Sequence, residues 1–208
     1  MAIPIRDGND RICAVLAACN IEEQANPTML RSLNLSFSMF CRNMLTYQAI
    51  KERGEKDLLS GLYNRNRYEM DLSSYLGRYH SSLSCIYVDA NGLHEMNNSQ
   101  GHEAGDRMIQ QVARQLSACF GPHHSYRTGG DEFLAFAVDM DEETVYALGK
   151  SMKDTLEKQE IYISIGIEWE EEVSSMESLV KKAEAKMYQE KKAFYANEKY
   201  DRRNRRET

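Results

Sequence analysis

The 208-residue sequence is short of positive charge: 26 Lys and Arg stand against 32 Asp and Glu, for a formal net charge of −6. Nucleic acids and anionic membrane surfaces demand a cationic footprint, so neither is expected as a partner. A phosphorylated ligand would need local help from a metal, from backbone amides or from a few placed cations. Cysteine is sparse: Cys13, Cys19, Cys41, Cys85 and Cys119 are odd in number and show no CxxC spacing, which predicts reduced thiols and neither disulfides nor a zinc site. No apolar run comes near the roughly 18 residues of a membrane span; the longest, Ile12 to Cys19, has the length of a strand. Arg6, Asp7, Asp10 and Arg11 fall where a secretory leader would be apolar, so a cytoplasmic location is expected. What is present, 42% apolar and 28% charged residues, suits one globular domain with an appendage and a substantial core.

The pattern of apolar residues gives the elements. Residues 2–6 and 11–19 flank Asp7-Gly8-Asn9-Asp10, a turn signal, and predict a hairpin. Asn26-Pro27-Thr28 then starts a helix in which Leu30, Leu33, Phe37, Phe40, Met44 and Tyr47 form a heptad seam that fades near Gly54. That seam suits a contact with a second copy or a fold-back onto the hairpin. Beyond it, Asn64 to His80 reads as a helix and Leu83 to Asp89 as a two-sided central strand. A helix entered at Gly101-His102 ends at Gly121-Pro122, and Tyr126 to Val138 is a hairpin about Gly129-Gly130, whose glycines are expected to supply positive φ. A helix over Glu142 to Lys158, a strand Ile161 to Trp169 with one buried face, and a helix carrying Met176, Leu179, Val180, Ala183 and Met187 complete the domain. The basic tail, 199–208, is expected to be disordered. The order β-α-α-β-β-α-β predicts an α+β, ferredoxin-like split βαβ plan, preceded by the hairpin and long helix.

In that plan the end of the first strand lies beside the start of the third. Asp89 would therefore meet Asp131 and Glu132, forty residues on in sequence, at one edge of the sheet. Singly, each reads as a helix cap or a solvated turn. Together, three carboxylates beside two glycines suit Mg²⁺, which prefers carboxylates plus substrate phosphates. The segment Ala90-Asn91-Gly92-Leu93-His94 turns from strand to helix, where free amides are expected to cradle an anion.

Residues 129–133, Gly-Gly-Asp-Glu-Phe, resemble the signature of the GGDEF family of diguanylate cyclases. Asp57-Leu58-Leu59-Ser60-Gly61-Leu62-Tyr63-Asn64-Arg65 is similar to the family's opening motif, and Asp89 to Asp106 keeps Asn97, Gly101, His102, Gly105 and Asp106 in register with the next one. Ala183 to Lys191 resembles the closing motif. The resemblance covers about 55–195 and places the domain at 55–198. It implies a nucleotidyl-cyclase-type domain that joins two GTP into cyclic di-GMP with release of two pyrophosphates, acting as a homodimer. It implies Mg²⁺ or Mn²⁺ held by Asp89, the Ala90 carbonyl, Asp131 and Glu132, with Asp131 or Glu132 as general base. It assigns Leu93, His94, Asn97, His102, Asp106 and Lys191 to the nucleotide, with Asn97 and Asp106 reading guanine. Arg127, Gly129, Gly130 and Phe133 are implied as its structural frame.

Three positions depart from the family: His94 for Lys, Asn98 for Asp and Tyr195 for Arg. Two of these remove phosphate-contacting cations and lower the expected affinity for GTP; a non-catalytic module that binds GTP or a protein is the rival expectation. Phe120 and His123 replace the Arg and Asp of the family's inhibitory product site, so none is expected here. Residues 1–54 resemble the last hairpin and exit helix of a GAF sensor domain, which implies a remnant without a ligand pocket.

Overall fold

In the computed structural model the described residues are 2–6, 12–17 and 27–196. Contacts divide the chain into two units, Met1–Gly54 and Glu55–Thr208. The expected turn at 7–10, the helix start at Asn26 and the basic tail lie outside the described residues.

The first unit holds β1 (Ala2–Arg6) paired antiparallel with β2 (Ile12–Ala17), followed by the helix α1 (Pro27–Glu55). Along α1 the seam residues Leu33, Phe37, Phe40, Met44 and Tyr47 are all exposed, so they are not folded back onto the hairpin. Leu35, Met39, Leu45 and Ile50 are exposed as well. The apolar surface of α1 is therefore broader than one heptad stripe.

The second unit is a five-stranded sheet with helices on both faces. Its elements are β3 (Tyr63–Asn64), α2 (Arg65–Leu72), β4 (Leu83–Ala90), α3 (Leu93–Gln100), α4 (His102–Phe120), β5 (Ser125–Arg127), β6 (Glu132–Val138), α5 (Glu142–Glu157), β7 (Ile163–Glu170) and α6 (Met176–Ala196). The strand order is β3-β5-β6-β4-β7, with β6 and β7 both antiparallel to β4. The mixed α/β architecture expected from the apolar pattern is what the chain adopts, and β6 lies between the two strands that α3 and α4 connect. Every residue of β4 is buried. Ile86, Val88 and Ala90 join one core with Met108, Val112 and Leu116 of α4; Leu83, Cys85 and Tyr87 join a second, under Leu179 and Met187 of α6. A strand covered on both faces reads as a continuous apolar run, as this one does. Cys85 and Cys119 are free thiols.

Three expectations are corrected. The helix expected over Asn64 to His80 ends at Leu72 and gives way to a tight turn at Tyr75–Gly77. There Ser74 donates its hydroxyl (2.6 Å) and its amide (2.9 Å) to the Asp71 carbonyl, diverting the helical ladder. The turn drives Tyr75 fully inside, where its hydroxyl meets those of Tyr126 (2.8 Å) and the Nδ1 of His124 (2.9 Å). Tyr126 in turn donates to Asp71 (3.0 Å), which Arg67 also holds (2.8 Å), so the buried polar groups form one connected set.

The second correction concerns β7, expected to bury only one face. Ser164 and Gly166 are buried too, because α6 packs directly over them. A Cβ at Gly166 would overlap the Ala183 carbonyl oxygen and the Met187 amide, so glycine is what permits the backbones to approach. The outer edge of β7 is also covered by side chains. The Ile165 amide donates to Glu190 (2.6 Å), itself paired with Lys153, while the Ile167 carbonyl accepts from Lys186 (2.7 Å) and Tyr146 (3.2 Å).

The third concerns Gly129-Gly130. Neither adopts the positive φ expected of the turn; that conformation is found at Gly61, Gly92, Gly101 and Gly121. A Cβ at Gly129 would instead lie 2.7 Å from Glu132 Oε2 and 3.2 Å from Glu132 Cβ, so the Glu132 side chain would have to shift to admit it.

Candidate active site

The carboxylates are placed by strand register. Asp89 and Glu132 are directly opposed across the β4–β6 pair, and the Ala90 amide donates to the Asp131 carbonyl (2.9 Å). The turn before them is tied from inside: the Thr128 amide donates to the Glu132 carbonyl (3.0 Å), and Arg127 grips the Gly130 carbonyl (2.7 Å). Arg127 also pairs with Asp57 (2.9 Å), which links the opening motif of the domain to the Gly-Gly turn. Phe133, fully buried beside them, anchors the start of β6 in the core. These residues therefore frame the site without entering it.

Asp89 is only 2% exposed, and its Oδ1 has no hydrogen-bond partner. Its Oδ2 accepts from Lys191 of α6 at 2.5 Å. Burial pushes the Asp89 carboxyl above its ordinary value; the Lys191 bond pulls the other way and the Asp131 charge adds to the rise. Glu132 is also raised, by burial first and then by Asp131 and Asp89. For Lys191 burial opposes the charge and is the largest single influence, but the bond to Asp89 together with the negative charges of Asp89 and Asp131 raises its proton affinity overall. Like charges held together and out of water are costly unless a cation compensates them. Lys191 is that cation here.

A cavity of about 610 Å³ opens over this group, lined by Asp89, Glu132, Glu184, Tyr188, Lys181 and Lys191. Glu184 and Tyr188 were not singled out by sequence reasoning. The signal was available: 184, 188, 191 and 195 follow helical spacing along one side of α6. Among the described residues no three His, Cys, Asp or Glu side chains close into a metal cage. The donor set still fits Mg²⁺, which uses one or two carboxylates with substrate oxygens in place of an all-protein cage. The unpartnered, buried Asp89 Oδ1, facing Glu132 across the register, is the feature such an ion would complete.

The other expected residues fall into two further groups. Asn97 of α3 lies against Gly105 of α4, where a Cβ would sit 2.9 Å from the Asn97 Cγ and 3.1 Å from Leu93 Cδ1. Gly105 thus lets Leu93 and Asn97 of α3 pack against α4 one residue before Asp106 in the chain. His102 is exposed at the start of α4. None of these four lines the carboxylate cavity. His94 accepts from Asn98 Nδ2 (3.0 Å), so two of the three departures from the family pattern are partners of each other. His94 borders a separate cavity of about 530 Å³ with Gly92, Met96, Tyr162, Phe194 and Tyr195.

The expected cradle of free amides at 90–94 is corrected in part. The Ala90 amide is used by Asp131, that of Asn91 by the Tyr162 carbonyl (2.9 Å), and that of Gly92 by the Tyr195 hydroxyl (3.0 Å). A strand end pinned between two neighbours consumes its own donors.

A family model described as "Diguanylate cyclase, GGDEF domain" matches residues 55–196. The diguanylate cyclase VdcA of Vibrio cholerae is 29% identical over 148 residues, 65% of this chain and 43% of that protein. A cyclic di-GMP phosphodiesterase of Shewanella oneidensis, PdeB, is 34% identical over 108 residues, 51% of this chain and 12% of that protein. The chain thus spans less than half the length of either relative. Among solved structures, the coiled coil and GGDEF domain of DgcB from Caulobacter crescentus, in complex with c-di-GMP, superposes with a TM-score of 0.71 at 18% identity, covering 80% of this chain and 95% of that one. A sensory box/GGDEF family protein from the same organism gives a TM-score of 0.57 at 28% identity, covering 67% and 99%.

Proposed function

The chain belongs to the GGDEF-domain family of diguanylate cyclases, and on that footing we propose that it condenses two GTP into cyclic di-GMP with release of two pyrophosphates. The observation that carries this reading is the register pairing of Asp89 with Glu132 beneath an open cavity, with one Asp89 oxygen buried and unpartnered. Asp89, the Ala90 carbonyl, Asp131 and Glu132 would hold Mg²⁺ or Mn²⁺. Such an ion supplies charge neutralisation at the leaving pyrophosphate and favours ionisation of the attacking 3′-hydroxyl.

The protein's own groups do the rest. Asp131 or Glu132 accepts the 3′-hydroxyl proton, and the raised affinity of Glu132 for a proton suits that task. Asp106 and Asn97 select guanine, because a carboxylate accepts from its N1–H and 2-amino group while adenine offers no donors there. Leu93 packs beside that pair, with His102 and His94 at the margins of the nucleotide. Lys191 passes from Asp89 to a phosphate oxygen as the substrate enters. One domain presents one GTP, so turnover takes place across a homodimer, for which the exposed apolar residues of α1 offer a contact. Phe120 is buried in the core, which suits the absence of an inhibitory product site.

The test is chromatographic detection of cyclic di-GMP from purified protein with GTP and Mg²⁺ or Mn²⁺. Asp131→Ala, at a half-exposed turn, should abolish product while leaving the thermal melt unchanged. GTP binding without product at high protein concentration would instead favour a nucleotide-binding regulatory module. The Tyr195 hydroxyl standing on the Gly92 amide, where a family arginine would meet phosphate, is the observation on that side.

A further inference from the structure

The last turns of α6 touch the nucleotide region at two points. Lys191 sits on the Asp89 carboxylate and Tyr195, four residues on, accepts the Gly92 N–H at 3.0 Å. Residues four apart share a helix face, so both contacts are made or broken by one movement of the helix end. Lys191 supplies a positive charge to a carboxylate, and Tyr195 supplies an oxygen acceptor to an amide. Those are the roles a cation and a phosphate oxygen would take in the same places.

Tyr195 is held in this position by aromatic packing: its ring meets Phe194 edge-on (88°, centroids 5.1 Å apart), and Phe194 lies 5.8 Å from Tyr162. Tyr162 in turn accepts the Asn91 amide through its carbonyl, so both ends of the aromatic row rest on the same strand-to-helix segment. Gly92 itself has a φ of +78°, in the left-handed region that favours glycine, at the point where the chain leaves β4 for α3.

We propose that Tyr195 is an internal latch: its hydroxyl occupies the Gly92 amide in place of a nucleotide phosphate oxygen, and the substrate must displace it to bind. This rests on the reading of the site as one for GTP. Tyr195 is a positioning residue of the resting state. The latch replaces an attractive cation with a competitor, so it lowers affinity twice over and sets the nucleotide concentration at which the domain fills.

Tyr195→Phe isolates the hydroxyl, because the ring and its contact with Phe194 are retained. Two measurements are made on each protein: calorimetric titration with Mg²⁺ and the α,β-methylene analogue of GTP, and amide hydrogen exchange of the segment 90–96 without nucleotide. The latch predicts analogue binding about threefold to tenfold tighter in the variant, the range expected for one neutral hydrogen bond. It also predicts exchange at Gly92 faster by a similar factor. Equal or weaker binding by the variant overturns the competition. Unchanged exchange at Gly92 overturns the latch irrespective of nucleotide. Faster exchange with no binding by either protein overturns the GTP reading and, with it, the competition that rests on it.

Discussion

Substituting Gly166 by Ala is expected to dislodge α6 from the sheet. The added methyl would lie 3.0 Å from the Ala183 carbonyl carbon and closer still to the Ala183 oxygen and the Met187 nitrogen. All three are backbone atoms, so no rotamer change relieves the overlap. Restoring ordinary contact near 3.5 Å requires α6 to retreat by about 1 Å or more. That retreat opens the packing of Met176, Leu179, Ala183 and Met187, each at most 4% exposed. Overpacking of a tight core typically costs about 1–3 kcal/mol, and a double backbone clash belongs at about 3 kcal/mol. In a chain of this size each kcal/mol shifts the melting temperature by about 2–4 °C, giving a fall of about 6–12 °C. Differential scanning fluorimetry of Gly166→Ala beside Gly77→Ala gives the comparison, since a Cβ at Gly77 meets nothing within 4 Å. A Gly166→Ala melt within about 2 °C of the parent would refute the close-approach reasoning. The same retreat would draw Lys191 from Asp89.

Two further predictions concern the polar groups inside the second unit. Tyr126→Phe leaves Asp71 and Tyr75 without a shared hydroxyl and should destabilise by about 1–3 kcal/mol, read as a lower urea midpoint with an unchanged slope; an unaltered midpoint would mean the network carries no net stability. Asp57 is held below its ordinary value of 3.8: burial opposes this, but bonds from the Ser60 hydroxyl and amide and from Arg127 prevail. A depressed carboxylate stabilises fully above its unfolded pKa, and that contribution is lost as the pH falls through the lower folded value. The stability difference between the parent and Asp57→Asn should therefore be largest near pH 7 and shrink below about pH 4; a difference that grows on acidification would reverse the sign of the argument.

The convergence of Asp89 with Asp131-Glu132 was legible in sequence because it depends on strand order and turn position, both marked by local residue types. The antiparallel register then delivers Asp89 opposite Glu132 without further information. On α6 the closing-motif resemblance marks Lys191 as a phosphate contact, but its bond to Asp89 was not legible, because that bond depends on the angle at which α6 crosses β4 and β7. A clue lay in Gly166: an isolated glycine within Ile-Ser-Ile-Gly-Ile marks a place where another backbone comes close. The helix expected to run to His80 failed for a related reason. Tyr68, Leu72, Tyr75 and Leu76 keep helical spacing, but the pull of the Tyr126 and His124 side chains on Tyr75 is tertiary and leaves no periodic trace. At Gly129-Gly130 the expectation of positive φ failed, and only Gly129 meets a close neighbour, the Glu132 side chain, while a Cβ at Gly130 would meet nothing.

The side chains that cover the outer edge of β7 have a consequence for how copies of the domain can associate. An exposed edge strand recruits other strands through its open amides and carbonyls. Here Glu190 and Lys186 take those groups at Ile165 and Ile167, and at the opposite margin of the sheet β3 is only two residues long. The sheet is finite at both ends. A second copy would find the Ile165 amide and the Ile167 carbonyl already engaged, which opposes strand addition at that part of the edge.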